Sequence, residues 1–203
     1  TLFQPAEPIA PVGFSLEKSA ALLDKVAPAK DGKRFAVEII AVESLRGPVT
    51  DSAFAIFRHN LEQVGVSLKL TFLPVADYFA RLEKREFDGA FFGWLPDIPD
   101  PDPYALLHSS QISAGANYAG YANADVDALL DKARLATNRD ERRAIYTQVL
   151  KLVADEVPYT ALYAPYGHYA WTRRLRGVNP RDVGPQPLTP GIGGWWIGAA
   201  PRP

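Results

Sequence analysis

Three aspartates are the residues whose type and spacing most directly suggest chemistry. Asp97, Asp100 and Asp102 lie in a short segment that follows Trp94. In this segment they are interleaved with four prolines, Pro96, Pro99, Pro101 and Pro103. Proline fixes φ and lacks an N–H, so this segment can be neither a helix nor an inner strand. A stiff acidic segment of this kind can hold a cation, or it can be a rigid, solvated connection between elements.

These carboxylates could also coordinate a metal ion or act as general acid and base in a reaction. Ca²⁺ takes several carboxylate and carbonyl oxygens, but this segment lacks the glycine and the distal glutamate of an EF-hand loop. A metal-dependent hydrolase or transferase using Asp97, Asp100 and Asp102 stays open as the alternative function. The three histidines have no metal-site spacing, and no cysteine is present. Nucleophile-elbow, P-loop and dinucleotide motifs are also absent from the sequence.

The composition narrows the class of protein. The 203 residues are 47% hydrophobic, enough for one domain with a sizeable core or for a domain plus an appendage. Because 22 Lys and Arg balance 23 Asp and Glu, we expect no nucleic-acid partner. The chain contains no Met and no leader, so we expect a processed or excised fragment whose export signal lies upstream. No run of about 18 apolar residues predicts a membrane span.

Apolar patterning in the first half predicts a parallel α/β unit. The β-branched run 35–42 predicts a strand covered on both faces, and 66–73 alternates as a second strand. Between them we expect a helix capped by Thr50 or Asp51 and followed by Gly65. A further helix at 75–85 and a short strand at 89–94 place the acidic segment at a strand's carboxyl end. Ligands bind at that edge in open α/β sheets.

The second half predicts mostly helices. Ser15 caps an earlier helix with an apolar stripe, while Asn123 and Asn138 cap two helices that we expect to form a hairpin covering the sheet. Segment 104–123 is rich in Ser, Gly and Asn and predicts a loop. The sequence also predicts a strand pair at 159–164 and 168–172, and a short strand at 195–197.

The order of several motifs resembles the extracellular solute-binding proteins of peptide-type ABC importers, family 5. The resemblance runs from about Ser15 to Arg176 and depends on the joint occurrence of these segments: Glu-Phe-Asp-Gly-Ala-Phe-Phe-Gly-Trp (86–94), Asp-Ile-Pro-Asp-Pro-Asp-Pro-Tyr (97–104), Asn-Tyr-Ala-Gly-Tyr-Ala-Asn-Ala-Asp-Val-Asp-Ala-Leu-Leu-Asp-Lys-Ala (117–133), Asn-Arg-Asp-Glu-Arg-Arg-Ala-Ile-Tyr (138–146) and Val-Pro-Tyr-Thr-Ala-Leu-Tyr (157–163). The family is longer, and the matched part resembles its C-terminal half.

This resemblance implies a periplasmic-binding-protein-like (type II) lobe: an α/β fold with a mixed, mostly parallel sheet and helices on both faces. Residues 1–14 would be an extended lead-in from a missing first lobe, 15–176 the second lobe, and 177–203 a Pro- and Gly-rich return segment. The implied protein is a periplasmic or extracellular, non-enzymatic receptor that delivers a peptide or similar solute to an ABC permease. The resemblance implies no cofactor and no metal.

The resemblance also implies ligand-binding residues. Gly93, Trp94 and Asp97 match the family's Gly-Trp-x-x-Asp pattern, in which the acid pairs with the α-ammonium of a peptide and the Trp lines the pocket. Tyr118, in the predicted loop that follows, is the fourth candidate. Leu95-Pro96 departs from the common pattern, and Asp100 and Asp102 are expected to shape the loop. With half of the cleft absent, we expect weak solute affinity for the isolated chain.

Overall fold

The computed structural model describes residue 9 and residues 13–93, 102–162, 170–178 and 192–198. It contains seven α-helices and five strands in those ranges. Two of the helices and two of the strands are very short. In chain order the elements are α1 (Leu16–Val26), β1 (Phe35–Val42), α2 (Pro48–Glu62), β2 (Val66–Leu73), α3 (Val75–Lys84), β3 (Gly89–Phe91), α4 (Tyr104–Leu107), α5 (Gln111–Ala114), α6 (Ala124–Leu135), α7 (Arg139–Glu156), β4 (Leu175–Arg176) and β5 (Trp196–Ile197).

A three-stranded parallel sheet forms the first half of the fold. Its order is β2-β1-β3, with β1 in the centre. The predicted parallel strands are confirmed, and β1 and β2 have the bounds expected from their apolar and β-branched runs. β1 is less covered than predicted, because its first residues are exposed and only Ile40 and Ala41 are buried in it.

Helices cover both faces of this sheet, as expected. Successive residues of a strand point to opposite faces, so Ala90 and Phe91 of β3 mark the two sides. On one side, Phe54 of α2 packs edge-to-face on Phe91 with ring centroids 5.3 Å apart. On the other side, Tyr78 and Leu82 of α3 form a buried cluster with Ile40 of β1, against which Ala90 packs.

Polar caps begin three of the helices. The side chains of Ser15, Asn123 and Asn138 accept backbone N–H bonds at the starts of α1, α6 and α7, which confirms these predicted caps. The predicted cap of α2 is wrong, because Pro48 takes the first helical position, where its missing N–H costs nothing. Thr50 lies inside the helix, and its hydroxyl donates a hydrogen bond to the Leu45 carbonyl.

The segment between β3 and α6 differs from the predicted loop, because it contains α4 and α5. These helices are each four residues long, too short to show a helical apolar pattern. The α6–α7 hairpin is confirmed, but its buried side chains form a cluster with Leu107 and Tyr121 that is separate from the cluster on the sheet. The hairpin therefore covers segment 104–121 and not, as predicted, the sheet.

The ends of the chain give a mixed outcome. Predicted strands at 159–164 and 168–172 do not form in their described residues, 159–162 and 170–172; the turn between them lies outside the described residues. The strand expected near Trp196 is confirmed, and it pairs antiparallel with β4. The side chains of Trp196 in β5 and Leu22 in α1 are 60% and 62% exposed. The described helices include none that is long and apolar enough to cross a membrane.

Candidate functional site at the carboxyl edge of the sheet

The carboxyl ends of all three parallel strands meet at one edge of the sheet. β1, β2 and β3 end there at Val42, Leu73 and Phe91. Loops and helix starts converge at such an edge and form the usual ligand crevice of an open α/β sheet. Of the four predicted ligand residues, Gly93 and Tyr118 are described; Trp94 and Asp97, like Asp100, lie outside the described residues.

Gly93 lies two residues beyond the end of β3 and is exposed. A methyl group built on its Cα would meet no atom within 4 Å. Packing among the described residues therefore does not require glycine at this position. A ligand backbone could approach the chain closely here because no side chain intervenes.

Tyr118 lies beside the residues that lead to Gly93. Its ring packs edge-to-face on Phe92, with centroids 6.4 Å apart and an interplanar angle of 90°. The ring is half-buried against the sheet's hydrophobic cluster. The fold thus places Tyr118 in contact with Phe92, the residue next to Gly93, although Tyr118 is far from both in the sequence.

A neutral tyrosine fixes the end of β3. Burial raises the pKa of Tyr78 to about 12, so the phenol keeps its proton at physiological pH. Its hydroxyl donates a hydrogen bond to the Phe91 carbonyl at 3.3 Å. α3 therefore holds the strand end from which the acidic segment departs.

Arg85 joins α3 to the segment that carries Tyr118. It ends α3 in the left-handed conformation, with φ of 58°. Its guanidinium donates to the carbonyls of Ile112, Asn117 and Tyr118. The Asn117 side chain, fully buried, bonds the His108 carbonyl and both backbone groups of Tyr121. The hydrogen bonds of the Arg85 guanidinium and of the Asn117 side-chain amide thus fix the backbone beside Tyr118.

Asp102 uses both of its carboxylate oxygens within the protein. Oδ1 accepts the Tyr104 backbone N–H at 3.0 Å, and Oδ2 accepts Arg134 Nε–H at 2.7 Å. Asp102 thus joins the start of α4 to α6. No group of three or more metal-ligating side chains occurs within the ranges that the structure describes.

A second cleft opens beside β2 and has a volume of about 420 Å³. Arg46, just beyond β1, lies in it with its guanidinium 4.2 Å from the centroid of the Phe72 ring. Arg58 also lines the cleft and donates to the Leu68 carbonyl at 3.3 Å. Sequence reasoning missed Arg46; the available signal was a cation in the first loop after a buried strand.

Among the residues that the structure describes, one carboxylate with a strongly lowered pKa lies within the sheet. Glu38 of β1 accepts hydrogen bonds from Thr71, Lys69 and Arg81. These donors, Thr71 first, lower its pKa from 4.5 to about 2. Glu38 links β1 to β2 and α3, which is a structural role.

Comparison with known proteins identifies the relatives of this arrangement. No protein-family model matches the chain. Over 173 residues it is 29% identical to the oligopeptide-binding protein AppA of Bacillus subtilis, covering 83% of this chain and 30% of AppA. It is 32% identical to heme-binding protein A of Haemophilus influenzae over 124 residues, 60% of this chain and 22% of that protein.

The structural comparison agrees. The structure of Bacillus subtilis AppA in complex with a nonapeptide matches 96% of this chain and 40% of AppA, with a TM-score of 0.73 and 25% identity. The chain is a homologue of the family 5 solute-binding proteins. Its fold is that of a type II periplasmic-binding-protein-like α/β unit. This family 5 homologue spans less than half the length of the relatives described here.

Proposed function

We propose that the chain forms one lobe of the solute-binding component of an ABC importer. That component binds a peptide or similar small solute between two lobes and delivers it to a membrane permease. The observation that carries the proposal is the match of nearly the whole chain, at a TM-score of 0.73, to a structure solved with a bound nonapeptide. Residues 15–176 would form the lobe, with 1–14 and 177–203 leading to and from the other lobe.

The solute would bind at the carboxyl edge of the sheet. Asp97 would pair with the α-ammonium group of a peptide while Trp94 and Tyr118 line the pocket and Gly93 allows close approach. Closure of two lobes would exclude water and strengthen this pair. A charge-assisted bond of this type contributes roughly 1.5–3 kcal/mol. Arg46 places a cation at the same edge, suited to an acidic group of the solute.

Location and partners follow from the same proposal. A receptor of this kind works in the periplasm or at the extracellular membrane surface, where its partner is the permease of the importer. The relatives compared above are named as binding proteins, which favours binding over catalysis.

The test is calorimetric titration of the complete protein with dialanine, trialanine and pentaalanine, each with a free and an acetylated N-terminus. We expect binding of peptides that carry a free ammonium group. Asp97→Asn should weaken it about 10- to 150-fold, the factor that corresponds to the loss of one charge-assisted bond. Acetylation should weaken wild-type binding similarly and leave the affinity of the variant unchanged.

Asp31→Asn is a matched control, because it removes a carboxylate from an exposed turn residue whose φ of 51° also suits Asn. Its affinity should equal that of the wild type. Absence of binding to any of the peptides, or equal affinity for free and acetylated forms, would contradict the proposal. Cleavage of pentaalanine that disappears in Asp97→Asn would favour the hydrolase alternative instead.

A further inference from the structure

Helix α3 fixes the backbone beside both rings of an aromatic pair. Tyr78 of α3 donates a hydrogen bond to the Phe91 carbonyl, one residue before Phe92. Arg85, which ends the same helix, donates through Nη1 to the Tyr118 carbonyl at 2.8 Å. The rings of Phe92 and Tyr118 meet edge-to-face. One helix therefore helps to place two rings that lie far apart in the sequence.

Arg85 leaves the helix in a conformation that residues with a side chain seldom adopt. Its φ is 58°, in the left-handed region, and its backbone N–H donates to the Leu82 carbonyl at 3.1 Å. Such a conformation persists where the surrounding contacts hold it. For Arg85 those contacts include the hydrogen bonds of its guanidinium to residues 112–118. The end of α3 and the segment that carries Tyr118 are therefore held together by the same residue.

Segment 112–120 contacts this guanidinium at several points. The carbonyls of Ile112, Asn117 and Tyr118 all accept hydrogen bonds from it. Gly120 follows with a φ of +66°, and a Cβ there would lie 3.5 Å from Arg85 Nη1. A planar guanidinium has five N–H donors in a fixed arrangement, so it can serve several carbonyls at once. Loss of the guanidinium would therefore release the Tyr118 carbonyl and two others together.

We propose that Arg85 is a positioning residue for Tyr118 in the solute site. It acts through the Tyr118 backbone: the ring is held against Phe92 before a solute arrives, so less side-chain and loop ordering is needed on binding. This inference rests on the proposed function, because that function assigns Tyr118 to the pocket. Arg85 itself is not expected to contact the solute.

An asparagine substitution separates this role from folding. Arg85 is exposed, and Asn is one of the few residues besides Gly that adopt the left-handed conformation readily. Arg85→Asn therefore removes the guanidinium and keeps the end of α3. The buried Asn117 side chain still bonds the carbonyls of His108 and Tyr121, so the segment stays attached. We expect a folded protein in which the Tyr118 ring is less restricted.

The experiment measures trialanine affinity and urea unfolding of the complete protein for wild type, Arg85→Asn, Tyr118→Ala and the double variant. We expect Arg85→Asn to weaken trialanine binding about fivefold, with a small fall in the urea midpoint. Tyr118→Ala should weaken binding about tenfold, because the aromatic contact is lost. The double variant should bind no more weakly than Tyr118→Ala, because Arg85 acts only through that ring. A general loosening of the protein would instead weaken binding equally in both backgrounds.

Lys84→Gln is the matched control, because it removes the same charge from the preceding residue, which is also exposed. It should bind trialanine as the wild type does. Wild-type affinity in Arg85→Asn or in Tyr118→Ala would overturn the inference alone, as would equal losses from Arg85→Asn in both backgrounds. Failure of the wild type to bind any alanine peptide would overturn the proposed function, and the inference with it.

Discussion

At the scale of single residues, Glu38 gathers three donors around one carboxylate in the middle of β1. Thr71 and Lys69 come from the neighbouring strand, and Arg81 comes from the helix above. Asp88 adds a bond to the Glu38 backbone N–H. The ionised side chain thus connects β1, β2 and α3, and its connections require that it stay unprotonated.

Glu38 should make stability depend on pH in a defined window. Its pKa falls from 4.5 to about 2 on folding, so the stabilisation is fully present above about 4.5 and is lost as pH falls toward about 2. Glu38→Gln should lower stability at neutral pH, and the difference from wild type should shrink across that window. Urea unfolding at a series of pH values measures this difference.

The control is Glu83→Gln, which removes a carboxylate from an exposed position of α3. Its unfolding free energy at neutral pH should lie within about 0.5 kcal/mol of the wild-type value, because the side chain is exposed. A Glu38→Gln profile that runs parallel to the wild-type profile below pH 4.5 would contradict the role assigned to this carboxylate.

At the scale of elements, the connection from α2 to β2 depends on Gly65. Its φ is +78°, and a Cβ there would lie 2.8 Å from the Gly32 carbonyl oxygen. Gly65→Ala should destabilise the protein by roughly 1–3 kcal/mol, since a non-glycine residue is strained in this conformation and the close contact is with backbone. The urea midpoint should fall accordingly.

Gly93→Ala provides a control for this substitution, because a Cβ at Gly93 meets nothing within 4 Å. Its urea midpoint should stay at the wild-type value, even if solute affinity changes. If Gly65→Ala and Gly93→Ala had equal midpoints, the close approach at Gly65 would not be a constraint on the fold.

The elements also show which signals the sequence carries. β1 and β2 could be bounded from sequence because each is a dense β-branched and apolar run with turn residues on both sides. The start of α2 was misassigned because Pro48 at the first position competes with the side-chain cap signal of Thr50. α4 and α5 were missed because their stability comes from packing and from Asn117, not from local propensity.

At the scale of the whole molecule, the edge that forms the candidate site could be located from strand order alone. Tyr118 could be proposed from sequence, but its contact with Phe92 depends on the tertiary fold. Arg134 and Asp102 are 32 residues apart in the sequence. No local sequence pattern therefore predicts that they form an ion pair. For Arg46 the sequence shows only that a cation follows β1, and its position over Phe72 depends on the tertiary fold.

Two hydrophobic clusters lie in separate parts of the described core. One surrounds Ile40 and Leu82 beneath α3, and the other surrounds Leu130 and Val149 between α6 and α7. Arg85 follows α3, in the region of the first cluster. It donates hydrogen bonds to three carbonyls of the segment that packs on the second cluster. Much of the polar attachment between the two regions is thus concentrated in one side chain.

Because few of the described polar side chains join the two regions, we expect each region to unfold as its own cooperative unit. Amide hydrogen exchange should give different opening free energies for residues near Ile40 and near Val149. Arg85→Ala should lower the value near Val149 by about 1–2 kcal/mol, because charge-assisted bonds are lost, and change the value near Ile40 less. The exposed neighbour Lys84 supplies the control variant, Lys84→Ala, which should leave both values unchanged.

A single opening free energy for both regions, in the wild type and in Arg85→Ala, would show one unit instead. With two units, Arg85 would also affect the solute binding proposed above. A solute that touches both the sheet edge and Tyr118 would bind only when the two regions are closed together. Binding would then protect amides of α7 that the solute never contacts, and the protection would grow with solute concentration.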